Sequence, residues 1–333
     1  MKIWKEKRTW VGSRAASKIS ELSFEDVKSI AIIKHAAFGD LLCTRPFLVT
    51  LRRHFPNAKL TFSGISHYQR GIPDDLVDRV HILPSNQDKM SIYNRLRAYR
   101  TLGYHNLLFD LTESTPSFIL SWLTPADFKI GYQHRSFHRW IYDIAILRAE
   151  YRFEAETFLE QLHPLGIQYD LPLKYEMPVS TAKREKPYIV YFPTCSTPKR
   201  VWPIERMSKL ISVMAELYPD HEHILLSGLA DWEVEIAKNM AQELSRYSNV
   251  NKLIASKDDA ALIKGAQILV ANDTGIRHLA IALGTPTVGL LCFYTPFGYW
   301  PRFGKHEVAF ESDGSMPTVD SVKDAMIRIL TTD

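Results

Sequence analysis
What most limits the folds open to this chain is the alternation of short, wholly apolar runs with stretches of helical length. Ile30-Ala31-Ile32-Ile33 ends in Lys34 and leads into a loop at 35–40, after which Phe47, Leu48, Leu51 and Phe55 recur at helical spacing. Pro46 has no N–H to give, so the main helix is expected to begin near it or to bend there. Further apolar runs at 59–63, 80–83, 106–111 and 129–132 repeat the rhythm. Strands apolar on both sides, with helices between them, predict a parallel sheet covered on both faces.

The rhythm stops over a polar, proline-containing stretch at about 166–186. It resumes with strands expected at 188–192, 223–227, 267–271 and 287–292 and helices at 204–217 and 232–244. The 333 residues are long for one core and comfortable for two. The expected division is a basic N-terminal extension at 1–27, an N-terminal Rossmann-like domain at 28–170, a linker at 171–186 and a C-terminal Rossmann-like domain at 187–333. The last helix is free to pack back on the N-terminal domain. The fold class is α/β, two doubly wound parallel-sheet domains with a cleft between them, and ligands of such sheets bind beyond the carboxyl ends of the strands.

Charge and cysteine usage narrow the function. A net charge of +4 suits anionic ligands and is too small to argue for nucleic acid. Cys43, Cys195 and Cys292 lie far apart, which opposes a disulfide framework and fits a reducing cytoplasm. The basic start lacks the apolar core of a signal peptide, and no run approaches the roughly 20 apolar residues of a membrane span. Trp4 and Trp10, set among the cations of residues 1–18, read either as an anchor on an anionic membrane surface or as a disordered basic tail. The histidines are scattered without metal-ligand spacing, so no metal is expected. His134 and His138, with Arg135 and Arg139 beside them, suggest a cationic face, and with Lys129 these arginines either meet an anionic acceptor or form ordinary solvated surface.

Three segments carry chemistry. In Val270-Ala271-Asn272-Asp273-Thr274-Gly275-Ile276-Arg277-His278, a strand runs into a helix expected from about 275 to 283. Asp273 or Thr274 can cap that helix, Gly275 lets a ligand approach the backbone, and His278 falls one turn in. Free N–H groups and the helix dipole favour a diphosphate there, although a cap with a packing histidine has the same local sequence. The second segment, Phe192-Pro193-Thr194-Cys195-Ser196-Thr197-Pro198-Lys199-Arg200-Val201-Trp202-Pro203, follows a strand with hydroxyls and two cations that suit a leaving diphosphate. The third, Lys34-His35-Ala36-Ala37-Phe38-Gly39-Asp40-Leu41, has no G-x-G-x-x-G, which counts against a nicotinamide dinucleotide. It offers Asp40 on a glycine turn, either as an N-cap or as a general base for an acceptor hydroxyl.

Taken in series, these segments resemble glycosyltransferase family 9, the ADP-heptose:lipopolysaccharide heptosyltransferases. The opening from Ile30 through Gly39-Asp40 and Pro46 to Leu51-Arg52-Arg53-His54-Phe55-Pro56 is similar to that family's, as are the loop before Trp202-Pro203, the run from Asn272 to Thr287, and Tyr294-Thr295-Pro296 with Trp300-Pro301. The resemblance spans about residues 28–330 and implies the GT-B fold. It implies Asp40 as base and Asp273, Thr274, Gly275 and His278 around the donor's diphosphate and sugar. Thr194 and Ser196 would be the hydroxyls of the loop, and Asp231 the acidic residue at the ribose. The cation two residues before Trp202 is Arg200 where the family commonly has lysine, so the role falls to Arg200 or, with a shift of one, to Lys199. The implied reaction is inverting transfer of heptose from ADP-L-glycero-D-manno-heptose to the lipopolysaccharide inner core, without metal or cofactor. It would take place in the cytoplasm, either free or peripheral on the cytoplasmic face of the inner membrane. The alternatives are a GT-B enzyme using another nucleotide sugar and a non-catalytic nucleotide-sugar-binding protein.

Overall fold
The computed structural model describes residues 8–85, 87–133, 136–182, 184–195, 200–254, 259–291 and 296–332. The chain divides into two compact units, 1–176 and 177–333.

In the first unit the elements run β1 (Trp10–Val11), α1 (Ala15–Glu21), β2 (Ser29–Ile33), α2 (Phe38–Leu42), α3 (Arg45–His54), β3 (Lys59–Ile65), β4 (Arg79–Leu83), α4 (Ile92–Arg100), β5 (His105–Asp110), α5 (Thr115–Leu123), β6 (Ala126–Tyr132), α6 (His138–Ile141), β7 (Ile144–Ile146) and α7 (Glu154–Leu159). The sheet order is β1-β7-β6-β5-β2-β3-β4, parallel except for β1. From β2 the chain steps outward to β3 and β4, then returns to β5 on the other side, so the order reverses between β2 and β5. Ligands of such sheets sit at this reversal.

Two sequence expectations need correcting here. Residues from Trp10 onward do not form a disordered tail: β1 pairs antiparallel with β7, and Trp10 packs with Phe118, Tyr142 and Ala145. The apolar Trp10-Val11 pair extends the open edge left by the short β7. Trp4 lies outside the described residues. Asp40, expected in a loop after a glycine turn, stands inside α2, with Gly39 also helical and Ala37 at the N-cap. Pro46 does mark the start of the main helix, occupying the first turn of α3, where its missing N–H costs nothing.

The second unit runs β8 (Tyr188–Phe192), α8 (Ile204–Leu217), β9 (Glu222–Ser227), α9 (Asp231–Glu243), β10 (Val250–Ile254), α10 (Asp259–Gly265), β11 (Ile268–Asn272), α11 (Gly275–Leu283), β12 (Thr287–Leu290), β13 (His306–Ala309) and α12 (Val319–Thr331). Its wholly parallel sheet has the order β10-β9-β8-β11-β12-β13, reversing between β8 and β11. Ile189, Tyr191, Ile268, Val270, Val288 and Leu290 alternate onto one face, where α8, α9 and α12 cover them. One face of the last helix packs on this sheet. Val322, Ala325, Met326 and Ile329, an i, i+3, i+4, i+7 stripe, lie in this core beside Trp202.

The stretch expected to link the domains is tied down from both ends. Arg45, buried in α3, grips Asp75 through two 2.6 Å bonds and donates to the carbonyls of Tyr175 and Glu176, each at 2.7 Å. Its bonds hold the Asp75 carboxyl below the usual range. Further on, Ala182 N–H donates to Ala261 and Lys264 to Val179, within the second unit.

Candidate functional site
At the reversal in the second unit, register sets Ala271 of β11 opposite Phe192 of β8, so the loops leaving the two strands start side by side. Asn272 joins them. Its wholly buried amide donates to the Pro193 carbonyl at 2.7 Å and accepts from the Trp202 N–H at 2.8 Å. Trp202 is itself fully buried, with Nε1 donating to the Pro317 carbonyl at 2.9 Å, so the hydroxyl-rich loop is pinned at each end. Arg200, half-buried, stands two residues before that anchor. Ser196 and Lys199 lie outside the described residues.

Thr194 is buried, and its hydroxyl donates to Glu233 Oε1 at 2.7 Å. Glu233 also accepts from the Ala230 N–H at 3.2 Å, closing the first turn of α9. The carboxylate lies so close over Gly228 that a Cβ there would collide with it. Thr194 thus fixes its loop to α9 and has no hydroxyl proton left for a ligand. Asp231 opens α9 and is exposed.

Thr274 occupies the N-cap of α11 with extended backbone (φ −149°, ψ 157°) but makes no capping bond through its side chain. Neither capping expectation therefore holds. The Asp273 carboxylate instead lies 3.7 Å from Arg277 Nη2 and 3.9 Å from His278 Nε2. Of the two, Arg277 carries a fixed positive charge that offsets the Asp273 carboxylate at the start of α11. Arg277 is entirely buried, donates from Nη2 to the Tyr299 carbonyl at 2.7 Å, and passes over Gly289, where a Cβ would stand 3.1 Å from Nη1. His306, close by, is held down to about 4 by burial first and by the Arg277 charge second. His278 is buried, edge-on to Tyr299 with ring centroids 6.0 Å apart.

In the first unit the chain leaves β2 through a polar cluster. Lys34 is buried, its Nζ 3.2 Å from the Leu111 carbonyl, 3.4 Å from Glu154 and 4.2 Å from the Phe158 ring centroid. Burial opposes ionisation of Glu154, yet Lys34 and Arg148 together hold its carboxyl below the usual range. The His35 N–H donates to Thr112 Oγ1 at 2.9 Å, while burial, with the charges of His81 and Lys34, lowers its ring pKa to about 3. That imidazole is neutral at physiological pH. Asp40 follows in the first turn of α2, half-buried, and among the described residues its carboxylate has no hydrogen-bond or ion-pair partner. Phe38 is packed beneath Gly71, and the Arg70 guanidinium stacks on its ring at 4.5 Å.

The cationic face expected around residues 129–139 is only partly formed. Lys129 is half-buried and donates to the Ser121 carbonyl at 2.7 Å, and desolvation lowers it to about 8. His138 is buried against Trp10, Arg139 is exposed, and His134 and Arg135 lie outside the described residues. Among the described residues no three His, Cys, Asp or Glu side chains converge in a way that would hold a metal ion.

A profile of glycosyltransferase family 9 (heptosyltransferase) matches residues 95–325, more than half of the chain. The chain belongs to glycosyltransferase family 9. It is accordingly a glycosyltransferase. It is 24% identical over 314 residues to lipopolysaccharide heptosyltransferase 3 of Escherichia coli strain K12, covering 84% of this chain and 87% of the relative. Among solved structures it is similar to E. coli heptosyltransferase WaaC with ADP-2-deoxy-2-fluoro heptose (TM-score 0.72, 21% identity, 90% of this chain and 99% of that one). It also resembles a glycosyl transferase family 9 structure from Veillonella parvula (TM-score 0.71, 17% identity, 92% and 98%). These likenesses show the GT-B fold, with two Rossmann-like domains. The family match takes in Thr194, Arg200, Asp231 and the run from Asp273 to His278, and begins after Asp40.

Sequence reasoning missed Asn272, Arg277 and Glu233. Arg277 had a signal, an acid–base pair at i, i+4 with Asp273. The partners of Asn272 and Glu233 come from distant turns, which local pattern does not report.

Proposed function
We propose that this family 9 enzyme transfers a heptose from ADP-L-glycero-D-manno-heptose to the inner core of lipopolysaccharide in one inverting, metal-independent displacement. The observation that carries the reading is Asn272, which holds the 193–202 loop against the start of α11 at the sheet reversal. Main-chain N–H groups at that helix start, with Arg200 or Lys199, favour a diphosphate. Ser196 would donate a hydroxyl, Thr194 would hold the loop through Glu233, and Asp231 would meet the ribose. Asp273, Thr274, Gly275 and His278 would surround the diphosphate and donor sugar.

In the proposed step Asp40 takes the proton of an acceptor hydroxyl as its oxygen attacks the anomeric carbon from the side opposite the diphosphate. The bond from that carbon to the diphosphate oxygen breaks, and its electron pair leaves on ADP. Positive charge fixed by the protein stabilises the leaving group, so no metal is required of the mechanism. The acceptor is a lipid-anchored glycan, and the proposed location is the cytoplasm with peripheral contact at the inner membrane.

The test incubates purified full-length protein with a panel of nucleotide sugars, a delipidated inner-core oligosaccharide and excess EDTA. ADP release with ADP-heptose alone, and a product of inverted anomeric configuration, is expected. Turnover only with another donor would replace heptose in this reading. Nucleotide binding without turnover would make the chain a binding protein, and loss of activity in EDTA restored by magnesium would overturn metal independence.

A further inference from the structure
Helix α5 is amphipathic in the wrong sense for a helix facing water. Ser117 and Ser121 point inward, donating to the Thr112 carbonyl at 3.2 Å and to Asp110 Oδ2 at 3.0 Å. Thr115, Ile119 and Trp122 face outward, and the buried Phe118, at i+3 from Thr115, forms the floor beneath them. Phe137, Trp140 and Ile141 from the α6 turn face these residues across a groove of about 450 Å³. Trp140 is 83% exposed, Trp122 64% and Phe137 57%. Burying two tryptophans and a phenylalanine is worth several kcal/mol, so leaving them in one open groove marks a docking surface.

The charge around the groove selects the occupant. Arg139 lies between His138 and Trp140 and is exposed. β1 seats Trp10 against Phe118 and His138, and Arg8, two residues before Trp10, is exposed. The sequence ahead of Arg8 adds Lys2, Lys5 and Lys7 against the single Glu6. Asp143 and Glu113 of the same unit are already matched, by Lys18 at 2.7 Å and by Arg148 at 3.1 Å. Exposed tryptophans flanked in the chain by the exposed cations Arg8 and Arg139 fit an anionic bilayer surface, where indole rings settle at headgroup depth.

We infer that the α5–α6 groove is a membrane-docking site that inserts Trp122, Phe137 and Trp140 into the interface of an anionic bilayer. This names the surface that brings the enzyme to a lipid-anchored acceptor, and for that purpose it rests on the reading above.

Flotation of the full chain with phosphatidylcholine vesicles, with and without about one-third phosphatidylglycerol, tests it. Wild-type protein should float with the anionic vesicles, its tryptophan emission should shift to the blue, and brominated lipid should quench it. The double variant W122S/W140S, and W140S alone as the least packed position, should keep their thermal transitions and lose at least tenfold in partitioning. R139E should lose most of the dependence on phosphatidylglycerol. Failure of the wild type to float, or equal flotation of the variants, would overturn the site. So would a wild-type dimer that the double variant converts to monomer without any vesicle binding, since a second copy would then own the groove. Transfer to delipidated acceptor, measured in parallel, should be equal in wild type and the two tryptophan variants. Its absence in a wild type that still floats would count against the proposed reaction and not against docking.

Discussion

Asp40 sits in a helical first turn, where local dipoles favour the anion, and no partner among the described residues competes for its carboxylate. A base needs that availability. Asp40→Asn keeps the shape but cannot take a proton, so turnover should fall by about 10²–10⁴-fold while donor binding, followed by calorimetry with ADP, stays within a few-fold. Near-normal turnover would remove Asp40 from the reaction. The cation is the second residue-scale question. The buried Trp202 fixes register from one end, and Arg200 keeps the family's spacing to it. A planar guanidinium also grips two phosphate oxygens at once. Arg200→Ala should therefore slow turnover at least about tenfold, and Lys199→Ala much less. The reverse order in steady-state assays would hand the role to Lys199. The positions of Asp40 and Arg200, each beyond a strand end, were legible in the sequence, while the roles given to them are proposals. The partners of Thr194 and Asp273 were not, because Glu233 and Arg277 meet them only once α9 and α11 have packed.

Among the elements, the pair of loops after β8 and β11 is the unit that matters, and Asn272 is its fastener. Asn272→Ala strands the Pro193 carbonyl and the Trp202 N–H in a buried setting, at a cost of about 1–3 kcal/mol for each group. The expected outcome is a lower melting temperature together with a donor Kd at least about tenfold weaker, because both sides of the proposed diphosphate site lose their spacing. A variant that melts early yet binds ADP normally would show that the loops hold their places without the amide. Helix α11 was legible almost residue for residue: its strand ends in Asn272, and Gly284 closes it in the left-handed region at φ 76°. Its capping was misread, since the side chain of Asp273 answers to Arg277 and His278 rather than to the helix N–H groups.

For the whole molecule, buried histidines set the acid limit. Burial lowers His35 to about 3 and His223 and His306 to about 4, and it lowers His81 and His105 as well. Unfolded histidines bind protons near pH 6.5, so between the folded and unfolded values the unfolded chain holds more protons, and stability is lost as pH falls. Asp110 acts in the opposite sense. Desolvation raises it to about 6, so it favours the folded state as pH falls through the range from about 6 to 4. The histidines outnumber it. Urea midpoints should drop from pH 7.5 to pH 5, with about 2 kcal/mol lost for each of His35, His223 and His306. His306→Asn should flatten the dependence, and a midpoint that rises on acidification would contradict the assignment of neutral buried rings.

The sequence alone determined that there are two parallel α/β units, which strands carry the loops that matter, and where the helices after Pro46 and Gly275 begin. Those features follow from patterns within about twenty residues: strands apolar on both faces, helical spacing, and the punctuation of proline and glycine. Tertiary structure decided everything that depends on contacts between distant segments. It paired Trp10 and Val11 with the β7 edge and packed α12 on the second sheet. It also brought Arg45 to the carbonyls of Tyr175 and Glu176, and turned the apolar stripe of α5 outward. The short β1, β7 and β13 carry too few residues to show a period, and their pairing is stabilised by neighbours rather than by local preference.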